Sequence, residues 1–127
     1  RAMIKLAQAG QPLTVPDGAG GSFLDHDDLT HAVLLAMQKP ASIGQMFNLA
    51  TIYLEWREIA RIIIDVTASS SSLEVIPARE WRGAQFLVDS WELSTAKAEH
   101  LFAYRSLFSS STARQRLEKA IALYRED

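Results

Sequence analysis

Apolar residues follow two different spacings along this 127-residue chain, and this limits the possible folds more than any single motif does. Runs short enough for strands, such as 13–15 and 73–76, are separated by longer stretches with apolar residues at helical spacing, such as 29–37 and 56–66. This alternation predicts the α/β class, as a small mixed α+β unit in which short strands alternate with four or five helices. The length corresponds to a single domain, residues 1–127.

Several of the predicted helices carry recognisable start signals. Asp27 is the expected N-cap of the helix over 29–37, where additional apolar residues predict burial on more than one side. Ser94 or Thr95 is expected to cap a later short helix. Thr112 begins a capping-box pattern that predicts the start of the last helix.

The remaining segments are predicted to form strands and turns. The strands are expected over 13–15, 22–26, 45–50, 73–76 and 86–88. Proline and glycine residues within 16–21 predict a turn between the first two strands.

Composition and charge exclude several functions. Thirteen basic and fifteen acidic residues give a net charge of −2, which excludes a sequence-wide positive surface for nucleic acid or anionic membranes. Cysteine is absent, which excludes disulfides, thiolate zinc sites and cysteine nucleophiles. No apolar run reaches the roughly 18 residues of a membrane span, and no secretory signal opens the sequence. We therefore expect a cytoplasmic protein that has neither nucleic acid nor a membrane as its partner.

The common catalytic and nucleotide-binding motifs are also missing. The sequence has no Gly-x-Ser-x-Gly, no His-Glu-x-x-His and no Walker loop. Gly18, Gly20 and Gly21 are spaced like part of a dinucleotide-binding loop, but the last glycine is absent and Phe23 follows within a predicted strand. A dinucleotide loop must open a helix, so a connecting turn is the preferred interpretation.

The densest polar cluster is Asp25-His26-Asp27-Asp28. It is compatible with a metal site or acid–base chemistry, and equally with a strand end followed by a capped helix, which is the more common arrangement. His31 lies five residues after His26, so the two imidazoles do not converge on one ion in a helix. The preferred hypothesis assigns neither metal ligands nor catalytic residues to this chain.

A second cluster, Arg79, Trp81 and Arg82, follows the strand predicted over 73–76. Two guanidinium groups beside an indole are able to hold an anionic group and stack on a sugar or base. The competing interpretation is a solvated loop with Trp81 packed on the edge of the core. Because loops at strand ends commonly carry ligand sites, these three residues are the candidate substrate-binding residues.

The order and spacing of several segments resemble the C-terminal part of NAD-dependent epimerases/dehydratases, the extended short-chain dehydrogenase/reductase family. As in that family, a predicted strand leads into an acidic helix start, of which Asp28 is the last acidic residue. An Asn-hydrophobic-small segment then follows at Asn48. The similarity covers nearly the whole chain. The segments that carry it are Gly10-Gln-Pro-Leu-Thr-Val, Asp17-Gly18, Phe23 to Val33, Phe47-Asn-Leu-Ala, Glu58-Ile-Ala, Val75-Ile-Pro, Val88-Asp89, Ser94 to Leu101 and Leu117 to Tyr124.

The resemblance implies that the chain, which begins with Arg1, is a fragment of a longer enzyme. The family's glycine fingerprint and its catalytic Tyr-x-x-x-Lys pair belong to the Rossmann half and do not occur here. NAD or NADP would therefore bind to the missing half, and this chain would provide the wall of the substrate site. The expected partners are that half, a small-molecule substrate and a possible second copy of the chain.

The resemblance also bears on the substrate, which would be a sugar, a nucleotide-sugar or a related carbonyl compound. Arg79 stands ten residues before Asp89, as the second anion-binding arginine does in the family. The first arginine of nucleotide-sugar members is replaced by Gly21 or Ser22. A smaller or differently charged substrate therefore becomes plausible.

Two other functions are compatible with the sequence. The first is a non-catalytic α/β binding or interaction module with Trp56, Trp81 and Trp91 partly exposed. The second is a metal-dependent hydrolase that uses Asp25, His26 and Asp28. If the chain is a fragment, it should expose a larger apolar patch than monomeric proteins usually do.

Overall fold

The computed structural model describes residues 1–124 and has the α/β architecture that the sequence predicts. Five α-helices and five strands occur in this part of the chain. In chain order they are α1 (Ala2–Gln8), β1 (Leu13–Pro16), β2 (Gly20–Phe23), α2 (His26–Met37), β3 (Ile52–Glu55), α3 (Trp56–Val66), β4 (Leu73–Ile76), β5 (Ser90–Trp91), α4 (Ala96–Phe102) and α5 (Ser110–Ala122). Short 3₁₀ helices occupy Pro40–Ser42, Ala78–Glu80 and Gln85–Val88.

The strands form two small sheets. In the first, β1 and β4 pair in parallel, with Leu13 opposite Leu73. In the second, β2 lies between β3, which is antiparallel to it, and β5, which is parallel. A side chain at Gly20 is not possible, because its Cβ would lie 2.5 Å from the carbonyl oxygen of Leu54 on the neighbouring strand. Glycine therefore allows β2 and β3 to pair at this position.

Helix α3 forms the centre of the larger apolar cluster. The cluster's fully or nearly buried members are Ile4, Ala7, Leu13, Val15, Leu54, Ile59, Ala60, Ile62, Ile63 and Ile121. The helical spacing of apolar residues over 56–66 thus correctly predicted the buried face. Glu55 and Glu58 form a capping box at its first turn, with the backbone N–H of Glu55 donating to Glu58 Oε2 at 3.0 Å.

A smaller apolar cluster lies between α2 and α4. Ala32, Ala98, Phe102 and Tyr104 are its buried members. Phe47 packs edge-on against Phe102, with the ring centroids 4.8 Å apart. This cluster therefore joins α2, α4 and the segment that precedes β3.

Asp28 is fully buried and connects α2 to two distant segments. Its carboxylate accepts hydrogen bonds from the Thr51 hydroxyl, from the Ser106 hydroxyl at 2.7 Å and from the Leu107 backbone N–H at 2.8 Å. A buried carboxylate without such donors would be strongly unfavourable, so these bonds compensate for its loss of water. Asp28 is thus a structural residue that joins α2 to these two segments.

The observed helix starts differ from the predicted ones by a few residues. Asp25, not Asp27, caps α2, since its side chain accepts the backbone N–H of Asp27 at 2.9 Å. Ser109, not Thr112, caps α5 and accepts the Thr112 N–H at 3.2 Å. In both cases an earlier polar residue with extended backbone takes the cap position. The strand predicted over 22–26 accordingly ends at Phe23.

Two predicted strands are wrong. Residues 86–88 lie in a 3₁₀ helix, in which the Leu87 N–H donates to the Ala84 carbonyl. Residues 45–50 form no strand, because no neighbouring strand lies beside them in the described part of the chain. A strand requires a partner, which local sequence does not reveal.

Helix α2 is also less buried than its sequence predicted. Its apolar residues Leu29, Val33, Leu34 and Met37 are exposed. Four large apolar side chains of α2 are thus accessible to solvent among the described residues. Among residues 1–124, no helix has the length and apolarity that crossing a membrane requires.

We predict that Asp28→Asn lowers the unfolding free energy by about 2–4 kcal/mol at pH 7. The substitution replaces a carboxylate oxygen with an NH₂ group that faces donors rather than acceptors. Urea unfolding followed by circular dichroism measures the change. Asp65→Asn, on an exposed position of α3, is the matched control and should alter stability by less than about 0.5 kcal/mol. Equal effects of the two substitutions would contradict the structural role of Asp28.

We also predict a loss of stability in strong base that depends on Tyr104. Burial, and secondarily the nearby Asp28, raises the pKa of Tyr104 from 10.0 to about 12. The Tyr104 hydroxyl therefore loses its proton at a lower pH in the unfolded chain than in the folded one. Its contribution to the unfolding free energy is complete below about pH 10 and disappears as the pH rises to about 12. Urea midpoints measured from pH 9 to 12 should fall more steeply for the natural chain than for Tyr104→Phe. Identical slopes would exclude the effect.

Candidate functional site

The loop after β4 brings the predicted substrate-binding residues Arg79, Trp81 and Arg82 together. The Arg79 side chain is 84% exposed, with its Nε 3.7 Å from Glu80. Arg82 is also exposed and donates from Nη1 to the Arg79 carbonyl at 3.4 Å. Both guanidinium groups thus remain accessible to an anion in solution.

The indole of Trp81 has a fixed position in this loop. Its Nε1–H donates to the Ala84 carbonyl at 3.0 Å, and a Cβ at Gly83 would overlap the ring. Glycine at position 83 is therefore needed for this arrangement of the indole. The half-buried ring is able to present an apolar surface next to the two arginines.

Trp56 occupies the space next to Gly21, a relationship that sequence reasoning missed. A Cβ at Gly21 would lie 3.1 Å from the edge of the Trp56 ring. The indole is held by a hydrogen bond from Nε1–H to the Leu87 carbonyl at 2.9 Å and by an edge-on contact with Phe23. Position 21 thus has little room for a long side chain. Because Trp56 lies on another element, no local pattern in the sequence indicates this contact.

The glycines near β2 do not form a dinucleotide cradle. Gly18 adopts a positive φ of 65° in the turn before the strand. Gly20 and Gly21 lie inside β2 itself, and no helix begins after them until His26. Their backbone N–H groups therefore do not converge at a helix N-terminus, as pyrophosphate binding would require. Gly18, Gly20 and Gly21 therefore form a connecting turn and a strand.

The acidic cluster at the start of α2 is already paired with an arginine from α5. Arg116 donates from Nε to Asp25 at 2.7 Å and from Nη2 to Asp27 at 2.6 Å. The guanidinium also lies 4.3 Å from the ring centroid of Phe108. The hydrogen bond from Arg116 lowers the pKa of Asp25 and, reciprocally, raises the pKa of Arg116.

This pairing revises the metal hypothesis. Asp25, His26 and Asp27 place possible ligand atoms within 4.8 Å of one another, but Asp28 is turned into the protein interior. The set Asp25, His26 and Asp28 is therefore not assembled. A cation at the three grouped residues would compete with Arg116, which already pairs with both carboxylates.

A cavity of about 280 Å³ lies next to Arg116, where α5 crosses the ends of β2 and β3. Most of its wall is apolar. The lining includes Phe23, Leu24, Ile52, Ala113, Leu117 and Ala120. The small side chains of Ala113 and Ala120 on α5 leave this space open. Sequence analysis missed Arg116 because its partner Asp25 is 91 residues away.

We predict that Arg116→Gln destabilises the protein in a pH-dependent manner. Because the pKa of Asp25 is lowered in the folded state, the pair stabilises the fold above about pH 4 and stops doing so as the pH falls further. The difference in urea midpoint between the natural chain and the variant should be larger at pH 7 than at pH 3. Arg61→Gln, an exposed position of α3, is the control and should show no such change. A difference that is constant with pH would refute the prediction.

The fold is similar to parts of several solved enzymes. An epimerase from Methanothermobacter thermautotrophicus is 21% identical, with a TM-score of 0.67 over 93% of this chain and 35% of that one. A UDP-glucuronic acid 4-epimerase from Bacillus cereus, in complex with UDP-glucuronic acid and NAD, is 20% identical, with a TM-score of 0.64 over 94% of this chain and 38% of that one. RMD from Pseudomonas aeruginosa, complexed with NADPH, is 16% identical, with a TM-score of 0.60 over 95% of this chain and 40% of that one.

The comparison shows that this chain has the fold of one part of these enzymes and is shorter than they are. Its structural neighbours are NAD-dependent epimerases and related enzymes, and the chain spans only about 35–40% of the length of the three described. No protein-family model matches the sequence, and no curated protein matches it. The predicted likeness to this enzyme class is supported at the level of the fold, over part of the length of those enzymes.

Proposed function

We propose that this chain is the substrate-binding part of an NAD(P)-dependent epimerase or dehydratase acting on a sugar, a nucleotide-sugar or a related carbonyl compound. The observation that carries this proposal is the similarity of fold over 93–95% of the chain to one part of such enzymes. Since fold alone does not determine function, the residues of the loop after β4 provide the second argument.

The motifs of this chain indicate which steps of the reaction we assign to it and which to the rest of the parent protein. One neighbour contains NAD and another NADPH, so we propose that the parent uses one of these cofactors. The described residues form no dinucleotide cradle, and the sequence has no Tyr-x-x-x-Lys pair. Cofactor binding and hydride transfer are therefore assigned to the rest of the parent. The chain alone should be inactive.

Substrate recognition is assigned to Arg79, Arg82 and Trp81. The two exposed guanidinium groups would hold an anionic group of the substrate through charge-assisted hydrogen bonds. The indole, which is fixed by its bond to Ala84, would form an apolar wall for a sugar ring. None of these roles requires the acidic cluster of α2, whose carboxylates are paired with Arg116.

The residue at position 21 limits the range of substrates that we propose. An arginine there would extend toward the space that the Trp56 ring occupies. Because Gly21 or Ser22 stands in place of the first family arginine, we assign the anionic group to Arg79 and Arg82. This favours a substrate with a single anionic group, such as a sugar acid or a sugar phosphate, over a nucleoside diphosphate sugar.

The proposal is tested first on the protein expressed from its complete natural reading frame. It should bind NADH or NADPH, measured by quenching of protein fluorescence, and convert at least one member of a panel of sugar acids, sugar phosphates and UDP-sugars. The 127-residue chain should do neither. Cofactor-dependent turnover by the 127-residue chain would overturn the assignment, as would a complete protein without a dinucleotide-binding segment, which would favour the non-catalytic binding module.

Arg79→Gln should weaken substrate binding in the complete enzyme. Loss of a charge-assisted hydrogen bond predicts a rise in KM on the order of tenfold, with kcat changed much less. Arg105→Gln is the matched control, because Arg105 has a similarly exposed side chain (80% compared with 84%) outside this loop. Equal kinetics of the two variants would exclude Arg79 from the substrate site.

A further inference from the structure

The cavity beside Arg116 has no part in the proposed function. It lies where α5 crosses the ends of β2 and β3, and its volume is about 280 Å³. Its lining residues do not include Arg79, Trp81 or Arg82, so it is separate from the substrate loop. The volume is roughly twice that of an engineered apolar cavity that accepts benzene in another protein. The cavity therefore has room for one ring with a short substituent.

Apolar side chains from two elements form most of the wall. Phe23 and Ile52 belong to the small sheet. Ala113, Leu117 and Ala120 belong to α5, on the opposite side. An apolar ring placed between them would lose its contact with water and gain contacts with both elements. We therefore assign the apolar body of a ligand to this wall.

The polar side chains of the lining, apart from Arg116, are already paired within the fold. Both carboxylate oxygens of Asp25 accept hydrogen bonds from Arg116. The Thr51 hydroxyl accepts the N–H of Asp25 and donates to the buried carboxylate of α2. His26 lies at the solvent side, with its Nε2 2.9 Å from Asp27. These groups thus leave little hydrogen-bonding capacity for a ligand.

Arg116 retains one nitrogen that is not used in this way. Its bonds to Asp25 and Asp27 involve Nε and Nη2, and one face of its guanidinium lies over the Phe108 ring. Nη1 forms no hydrogen bond with any group of residues 1–124. Because the guanidinium is planar and its donors have fixed directions, the two N–H groups of Nη1 point away from Asp25. They remain available to an acceptor in the cavity that Arg116 lines.

The charges beside the cavity favour a neutral ligand. Asp25 and Asp27 carry two negative charges, whereas Arg116 carries one positive charge, so negative charge is in excess at pH 7 when His26 is neutral. A carboxylate or a phosphate would be repelled by this excess. A cation would compete with Arg116 for the carboxylates and has no use for the Nη1 donors. A neutral oxygen that accepts a hydrogen bond meets neither difficulty.

We infer that this cavity binds a small neutral molecule that combines an apolar body with an acceptor oxygen, as a ketone, an ester or an alcohol does. The apolar body would lie between the small sheet and α5. The oxygen would accept a hydrogen bond from Nη1 of Arg116. The inference goes beyond the proposed function and does not depend on it, because no residue of the substrate loop takes part.

Three probes of similar size test the inference on the protein expressed from its complete reading frame. Acetophenone is neutral and carries an acceptor oxygen, isopropylbenzene has no acceptor, and benzoate is an anion. Binding is followed by NMR titration of the labelled methyl group of Ala113, which is buried in the cavity wall. Acetophenone should bind at least about tenfold more tightly than isopropylbenzene, because it gains a hydrogen bond from a charged donor. It should also bind more tightly than benzoate, which the excess negative charge repels.

A matched pair of α5 variants tests the location. Ala120→Leu should abolish saturable binding of acetophenone, because the larger side chain occupies the cavity. Ala122→Leu is the control, because Ala122 is also exposed on α5 but does not line this cavity. It should leave the affinity unchanged. Amide spectra recorded before each titration show that both variants are folded.

Several results would overturn the inference. Absence of saturable acetophenone binding would do so, as would equal affinities for acetophenone and isopropylbenzene, which would mean that Arg116 donates no hydrogen bond. Tighter binding of benzoate would contradict a neutral ligand. Equal effects of Ala120→Leu and Ala122→Leu would place the binding site elsewhere in the protein.

Discussion

The buried carboxylate of Asp28 links three parts of the chain that are far apart in sequence. A carboxylate without water must accept hydrogen bonds, and the donors come from Thr51, Ser106 and Leu107. Leu107 lies just before α5, so Asp28 also determines where that helix starts relative to α2. The ion pairs between Arg116 and the first turn of α2 depend on this placement.

The polar groups of the molecule fall into two sets, one paired within the fold and the other exposed to solvent. The acidic residues of α2 are paired with Arg116, and the smaller apolar cluster fills the space between α2 and α4. In contrast, Arg79 and Arg82 are exposed after β4, and an apolar groove lies between α2 and the 3₁₀ helix that follows it.

Local sequence patterns predicted the elements whose stability depends on their own residues. The helix α3 and the strand β1 were predicted correctly, because their apolar residues form a buried face. The strand β4 was also predicted correctly, although its residues are half-buried or exposed. The strand over 86–88 was wrong, since a short apolar run is compatible with a 3₁₀ helix as well. The strand over 45–50 was wrong for another reason: strand formation requires a partner, and none is present in the described residues.

Composition and periodicity were sufficient to predict the α/β class and the principal buried helix. The pairing of Arg116 with Asp25, the burial of Asp28 and the placement of Trp56 over Gly21 emerged only in the folded chain. These contacts join residues that are 23 to 91 positions apart, and each depends on how whole elements pack. Periodicity reports which face of an element is buried, but it carries no information about the side chain that lies opposite.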